Sequence, residues 1–198
     1  MRSSLVSVAI KAVSLALVIV VSVLMARCMG AVGYGRFAFM QSIAFVLGSF
    51  ATLGFRESAN RMVARYVVKQ KRILLSRFIL FGVTIITLTS ALLAAIGHGV
   101  IVHLPELAGK YEFPLSTLFG MVATFALLSF LAPVLVALGR PVLSFTVENI
   151  VPRLIMLTAV VAVLAAGTRL EAGAALDLTV IGNLVPATFL AIFSFVRF

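Results

Sequence analysis

Residues 5–55 decide the fold: LVSVAIKAVSLALVIVVSVLMA over 5–26, RCMGAVGYGR over 27–36 and FAFMQSIAFVLGSFATLGF over 37–55. A helix rising 1.5 Å per residue needs roughly 20 apolar residues to cross about 30 Å of hydrocarbon, and the two outer runs meet that length. Gly30, Gly33 and Gly35 between them make a turn-prone composition. The chain is therefore expected to cross a membrane, turn and return. A basic start before an apolar run resembles a secretory leader ending at a lipidated Cys28. That reading fails because Lys11 interrupts the apolar stretch and Arg27 occupies a position where cleavage requires a small residue. The segment is read as a retained first span.

The pattern repeats outward along the chain. Further apolar segments occupy 73–96, 115–138, 144–166 and 175–196, which gives an all-α integral membrane protein, a bundle of about six transmembrane helices in one domain. Composition agrees: 63% of the 198 residues are hydrophobic, 11% are charged and the mean hydropathy is +1.23. A soluble fold is excluded by those values. The net charge of +10 does not indicate nucleic acid, because basic residues in so apolar a chain serve as loop anchors facing anionic lipid. A single cysteine excludes an internal disulfide and a cysteine-based zinc site.

Basic residues also orient the chain. With the amino terminus inside, Arg2, Lys11, the 56–72 cluster, Arg77, Arg140, Arg153 and Arg197 fall on the cytoplasmic side, against Arg27, Arg36, Lys110 and Arg169 outside. This positive-inside bias places both ends in the cytoplasm and the protein in the inner, cytoplasmic membrane. Within 56–72, Arg61, Arg65, Lys69 and Arg72 recur at helical spacing beside Met62, Val63, Tyr66 and Val67. An amphipathic helix on the membrane surface is expected there. It serves either as an anchor to anionic headgroups or as a site for an anionic substrate.

Ionisable groups inside spans are functional candidates because holding them there is costly unless they are paired or hydrated. Residues 12–26 alone span about 22 Å, so the first crossing takes in Lys11, which either snorkels along its stem or faces a cavity. The fifth crossing likewise takes in Glu148, Asn149 and Arg153, either within the span or at its headgroup edge. Pro152 removes the amide partner of the Glu148 carbonyl, so a kink is expected. Lys11 and Glu148 fall at similar depth, and an ion pair between them is an open expectation. Pro133 and Pro186 mark two further helices where a hinge or polar lining is possible.

His98 and His103 with Glu106 and Glu112 lack any metal-binding spacing, so no metal or cofactor is expected. The six acidic residues are scattered, and no nucleophile with a base or phosphate-binding glycine loop is present. An enzyme is not expected.

The stretch Arg27-Cys28-Met29-Gly30, with Gly33-Tyr34-Gly35-Arg36-Phe37 following, resembles the first turn of the polysaccharide biosynthesis and export family, which includes the O-antigen flippases. That family belongs to the multidrug/oligosaccharidyl-lipid/polysaccharide flippase superfamily. The likeness continues at Leu53-Gly54-Phe55, at Arg61-Met62-Val63-Ala64-Arg65, at Leu138-Gly139-Arg140 and at Glu148-Asn149-Ile150-Val151-Pro152-Arg153. Met29 stands where leucine is usual, and no acid lies near Thr52.

The resemblance implies one six-helix lobe of a two-lobe flippase that moves lipid-linked sugars, as in lipopolysaccharide assembly, by alternating access. Cations near the first helices would then hold the carrier's pyrophosphate, with Lys11, Arg27, Arg56 and Arg153 as candidates and Glu148 and Asn149 beside them. Membrane lipid, the lipid-linked sugar and a second lobe or other glycan-assembly proteins are the implied partners. A lone lobe implies a fragment, a shortened gene or a partnered half. The alternatives are a drug or metabolite exporter of the same superfamily and a non-transporting membrane subunit of glycan assembly.

Overall fold

A computed structural model describes residues 2–103, 115–165 and 171–196, and among these every element is helical. Expectations for Glu106, Lys110, Glu112, Arg169 and Arg197 fall outside the described residues. The helices are α1 (Arg2–Ala51), α2 (Phe55–Val68), α3 (Arg72–His103), α4 (Leu115–Ala137), α5 (Pro141–Asn149), α6 (Val151–Ala165) and α7 (Ala172–Val196). Five stretches are long and apolar enough to cross a membrane, with α5 and α6 forming one of them. The protein is thus a helical, multi-pass membrane protein.

The first of the five, Ala9–Ala51, covers 43 residues and overlaps both of the first two expected spans. Its division comes at Gly30, where φ 71° and ψ 172° interrupt the helix. Only glycine occupies that region without strain. An unbroken 50-residue helix would be about 75 Å long, more than twice the hydrocarbon thickness. Val18 before the break and Phe45 after it instead line one cavity, so the two limbs of α1 fold back on each other. The turn expected over 27–36 is narrower than its composition implied, since Gly33 and Gly35 keep negative φ within the helix.

The basic segment also differs from expectation. Helix α2 ends at Val68, and Gln70 takes φ 51° while Lys71 N–H bonds to the Tyr66 carbonyl (3.0 Å) and Gln70 N–H to that of Val67 (3.1 Å). This paired bonding satisfies the last carbonyls and stops the helix. Arg72 therefore opens α3, so it shares no helix face with Arg61 and Arg65, and Lys69 is the cap of α2. Ala59 and Val63 are buried, while Arg61, Arg65 and Lys69 are exposed.

Helix α4 is the centre of the bundle, packing on α1, α2, α3, α5 and α7. Its Met121, Val122, Phe130 and Leu131 are buried, whereas α1 and α3 expose Leu15, Phe50, Leu88 and Leu92. Lipid is as apolar as leucine, so association rests on close packing and interhelical hydrogen bonds rather than hydrophobic burial. Small residues permit the close packing. A Cβ on Gly48 would lie 3.2 Å from Phe125 Cβ and 3.3 Å from the Val122 carbonyl oxygen, and one on Gly82 would meet Phe130 Cζ at 2.5 Å. Ser144 Oγ donates to the Ala132 carbonyl (2.7 Å) and Thr89 Oγ1 to that of Ala51 (2.8 Å), each tying two elements together. Pro133 and Pro186 sit within uninterrupted α4 and α7, while α5 and α6 are divided at Ile150, where the backbone stays right-handed helical and the Leu154 N–H bonds to the Ile150 carbonyl (2.9 Å).

Candidate functional site

Between the two limbs of α1 and helices α4 to α7 lies a cavity of about 350 Å³. Its charged part is made by Arg56 at the start of α2, Glu148 at the end of α5 and Arg153 in the first turn of α6. The sharp backbone at Leu53 (φ 45°) and Gly54 (φ 75°) redirects the chain after α1 and so brings Arg56 to the wall. Glu148 and Arg153 flank the α5–α6 junction at Ile150, which keeps a right-handed helical backbone. The Arg153 guanidinium donates to the Asn149 carbonyl, which Ser14 Oγ also approaches at 3.4 Å, while Asn149 Nδ2 donates to the Phe145 carbonyl (3.1 Å). These bonds fix the α5–α6 junction against the first limb of α1.

Lys11 is exposed, with its ammonium 5.0 Å from the centroid of the Phe145 ring. It makes no direct ion pair with Glu148; Arg56, Arg153 and Lys11 act on that carboxylate through space. The expected pairing is therefore replaced by a looser group of three cations around one acid. Arg56, like Lys11, is exposed and Arg153 is half-buried, so solvent screens these interactions in part. One carboxylate balances one cation, which leaves two positive charges available to an anion.

Five of the six sequence candidates thus gather here: Arg56, Glu148, Asn149 and Arg153 in the wall, Lys11 beside it. Arg27 does not join them, being exposed three residues before the Gly30 break. The wall also contains neutral polar residues that the search for ionisable groups passed over: Ser22 and Gln41 on α1, Ser129 on α4, Thr179 and Asn183 on α7. Gln41 and Asn183, a glutamine and an asparagine inside apolar runs, were the signal that could have found them. Pro133, Pro152 and Pro186 have no N–H to offer the carbonyls of Ser129, Glu148 and Gly182. Ser129 and Glu148 line the cavity, and Gly182 precedes Asn183, which does too.

No group of three or more histidine, cysteine, aspartate or glutamate side chains suited to a metal occurs among the described residues. Comparisons with protein-family models, curated proteins and solved structures find no match to this chain.

Proposed function

We propose that the chain is one lobe of a membrane flippase, moving a polysaccharide precursor or lipid-linked oligosaccharide across the cytoplasmic membrane by alternating access, without making or breaking covalent bonds. The observation that carries this is the gathering of Arg56 and Arg153, with Lys11 nearby, around a cavity inside a membrane bundle. Lys11 and Arg56 are exposed and Arg153 is half-buried, and like charges gathered around one space favour an anion between them. Guanidinium groups suit phosphate oxygens because they stay charged and present several donors in a fixed plane. On this reading the two limbs of α1 are separate crossings, which makes six spans, and the positive-inside bias puts both ends in the cytoplasm, as the resemblance to the polysaccharide export family at its first turn and around Glu148 to Arg153 implies. Arg61, Arg65 and Lys69 on α2 would then anchor the bundle at anionic headgroups. A cation exporter is less well served, since the cavity's one acid is already surrounded by positive charge.

The test is the sidedness of lipid-linked sugar in cells. Loss of the protein, or Arg56→Gln with Arg153→Gln, is expected to trap the lipid-linked sugar on the cytoplasmic face. Unchanged sidedness together with lost assembly of other glycan proteins would overturn the transport reading in favour of a scaffold.

A further inference from the structure

The turn between α4 and α5 carries a second cavity, a groove of about 600 Å³ lined by Gly139, Arg140, Pro141, Val142, Leu143 and Thr146. Its shape is set by the backbone. Gly139 takes φ 78°, and the N–H groups of Gly139 and Arg140 bond to the carbonyls of Val136 (3.0 Å) and Leu135 (3.1 Å), the paired bonding that closes a helix end. Pro141 then opens α5 with its φ already close to the helical value, and the Ser144 bond to Ala132 pins that first turn to α4. The groove is therefore preformed.

Arg140 is the one charged residue of its lining, half-buried, with its guanidinium carbon 5.3 Å from the centroid of the Phe193 ring near the end of α7. The ring holds the cation in place and offers no oxygen to its N–H donors. Phe193 stacks on Phe189 at 6.0 Å and 22°, and Val185, Phe189 and Ile192 are exposed along α7, as Val142 is in the groove. An exposed apolar face thus runs along α7 up to a cation. The contact between Arg140 and Phe193 also puts the α4–α5 turn and the end of α7 at one membrane face, which the positive-inside bias makes the cytoplasmic one.

We propose that this groove binds an anionic phospholipid of the cytoplasmic leaflet, with its phosphate on the Arg140 guanidinium and an acyl chain along Phe189 and Ile192. A planar guanidinium suits phosphate oxygens, and none of the lining residues is an acid that would compete for it. The apolar face of α7 has a use for a lipid and none for a free phosphate. A space of about 600 Å³ is likewise more than a single inorganic ion fills. Basic pockets between helices on the cytoplasmic side take headgroups in this way. The site is separate from the surface of α2, where Arg61, Arg65 and Lys69 stand exposed on a helix rather than in a groove, and it holds whatever the larger cavity carries.

The experiment titrates the full chain in detergent with phosphatidylglycerol and with phosphatidylcholine and counts bound lipid by native mass spectrometry. The wild type is expected to hold phosphatidylglycerol about fivefold more tightly, the effect of one basic residue on an anionic lipid. Arg140→Gln should remove that preference, and Arg140→Lys, which keeps the charge, should retain most of it. Val142→Asp puts a carboxylate at an exposed position of the groove, so it should remove the preference with little demand on folding. Arg61→Gln with Arg65→Gln tests the α2 surface and should leave the preference in place. A wild type with no preference overturns the site. A preference that survives both Arg140→Gln and Val142→Asp overturns it too, and loss in the α2 variant alone assigns the anionic lipid to α2. Inorganic phosphate at the same concentration should not displace the lipid; displacement would make the groove a site for a free anion and refute the proposal.

Discussion

Two glycines five residues apart should respond to alanine with opposite signs. At Gly30 the backbone has φ 71° and ψ 172°, while Gly35 lies within the helix; a Cβ added at either meets nothing within 4 Å. Packing therefore contributes to neither substitution. Gly30→Ala forces a side chain into a backbone region that costs about 1–3 kcal/mol for any other residue. Gly35→Ala replaces a weak helix former by the best one and should stabilise by about 0.5–1 kcal/mol. The separation between the variants is then about 1.5–4 kcal/mol. Denaturant unfolding of the detergent-solubilised protein, followed by far-ultraviolet circular dichroism, gives both free energies on one scale. Equal shifts, or a Gly30→Ala protein as stable as the wild type, would refute the assignment of the reversal to this single residue.

Other outcomes follow from the same geometry. Glu148→Gln removes the one negative charge facing Arg56, Arg153 and Lys11, so inorganic pyrophosphate should bind severalfold more tightly in equilibrium titration; weaker binding would count against the carboxylate as a competitor for the cations. Gly82→Ala places a Cβ 2.5 Å from a Phe130 ring held between Phe55 and Phe78 at 6.1 and 6.2 Å, and should destabilise by about 1–3 kcal/mol in the same unfolding assay. In a Cys28→Ser background, Arg27→Cys should react with an impermeant maleimide from outside the cell and Arg61→Cys only after permeabilisation. The reverse pattern would invert the proposed orientation.

The helical membrane class was legible because it depends on run length and composition alone, and each apolar run reports itself. The number of separate helices was not. A single φ at Gly30 decides whether 5–26 and 37–55 form one helix or two, and the composition of 27–36 offered three glycines for that role. The helix end at Lys69 was hidden for a related reason: Gln70 adopts positive φ without being glycine, so nothing in the periodicity of 56–72 announced the stop. Lys11, Glu148 and Arg153 were legible individually as charges that apolar runs do not need, while Arg56, in the basic 56–72 stretch, became a cavity candidate only through the resemblance. Their convergence depends on α2 following a sharp turn and α5 ending at Ile150, which are tertiary facts.

The prolines show what convergence adds. In sequence, Pro133, Pro152 and Pro186 are three unrelated irregularities, and two of them leave their helices uninterrupted. In the bundle Pro152 lines the cavity itself, and Pro133 and Pro186 stand one turn after Ser129 and three residues after Asn183, which line it too. Ser129 and Glu148 thus share the wall with the guanidinium groups of Arg56 and Arg153 and with the neutral side chains of Ser22, Gln41, Thr179 and Asn183. Each of these is ordinary on its own helix. Only the packing of α4 to α7 against the two limbs of α1 turns them into one polar wall, and such a wall within a membrane bundle is the kind of surface that a polar ligand or water has to meet.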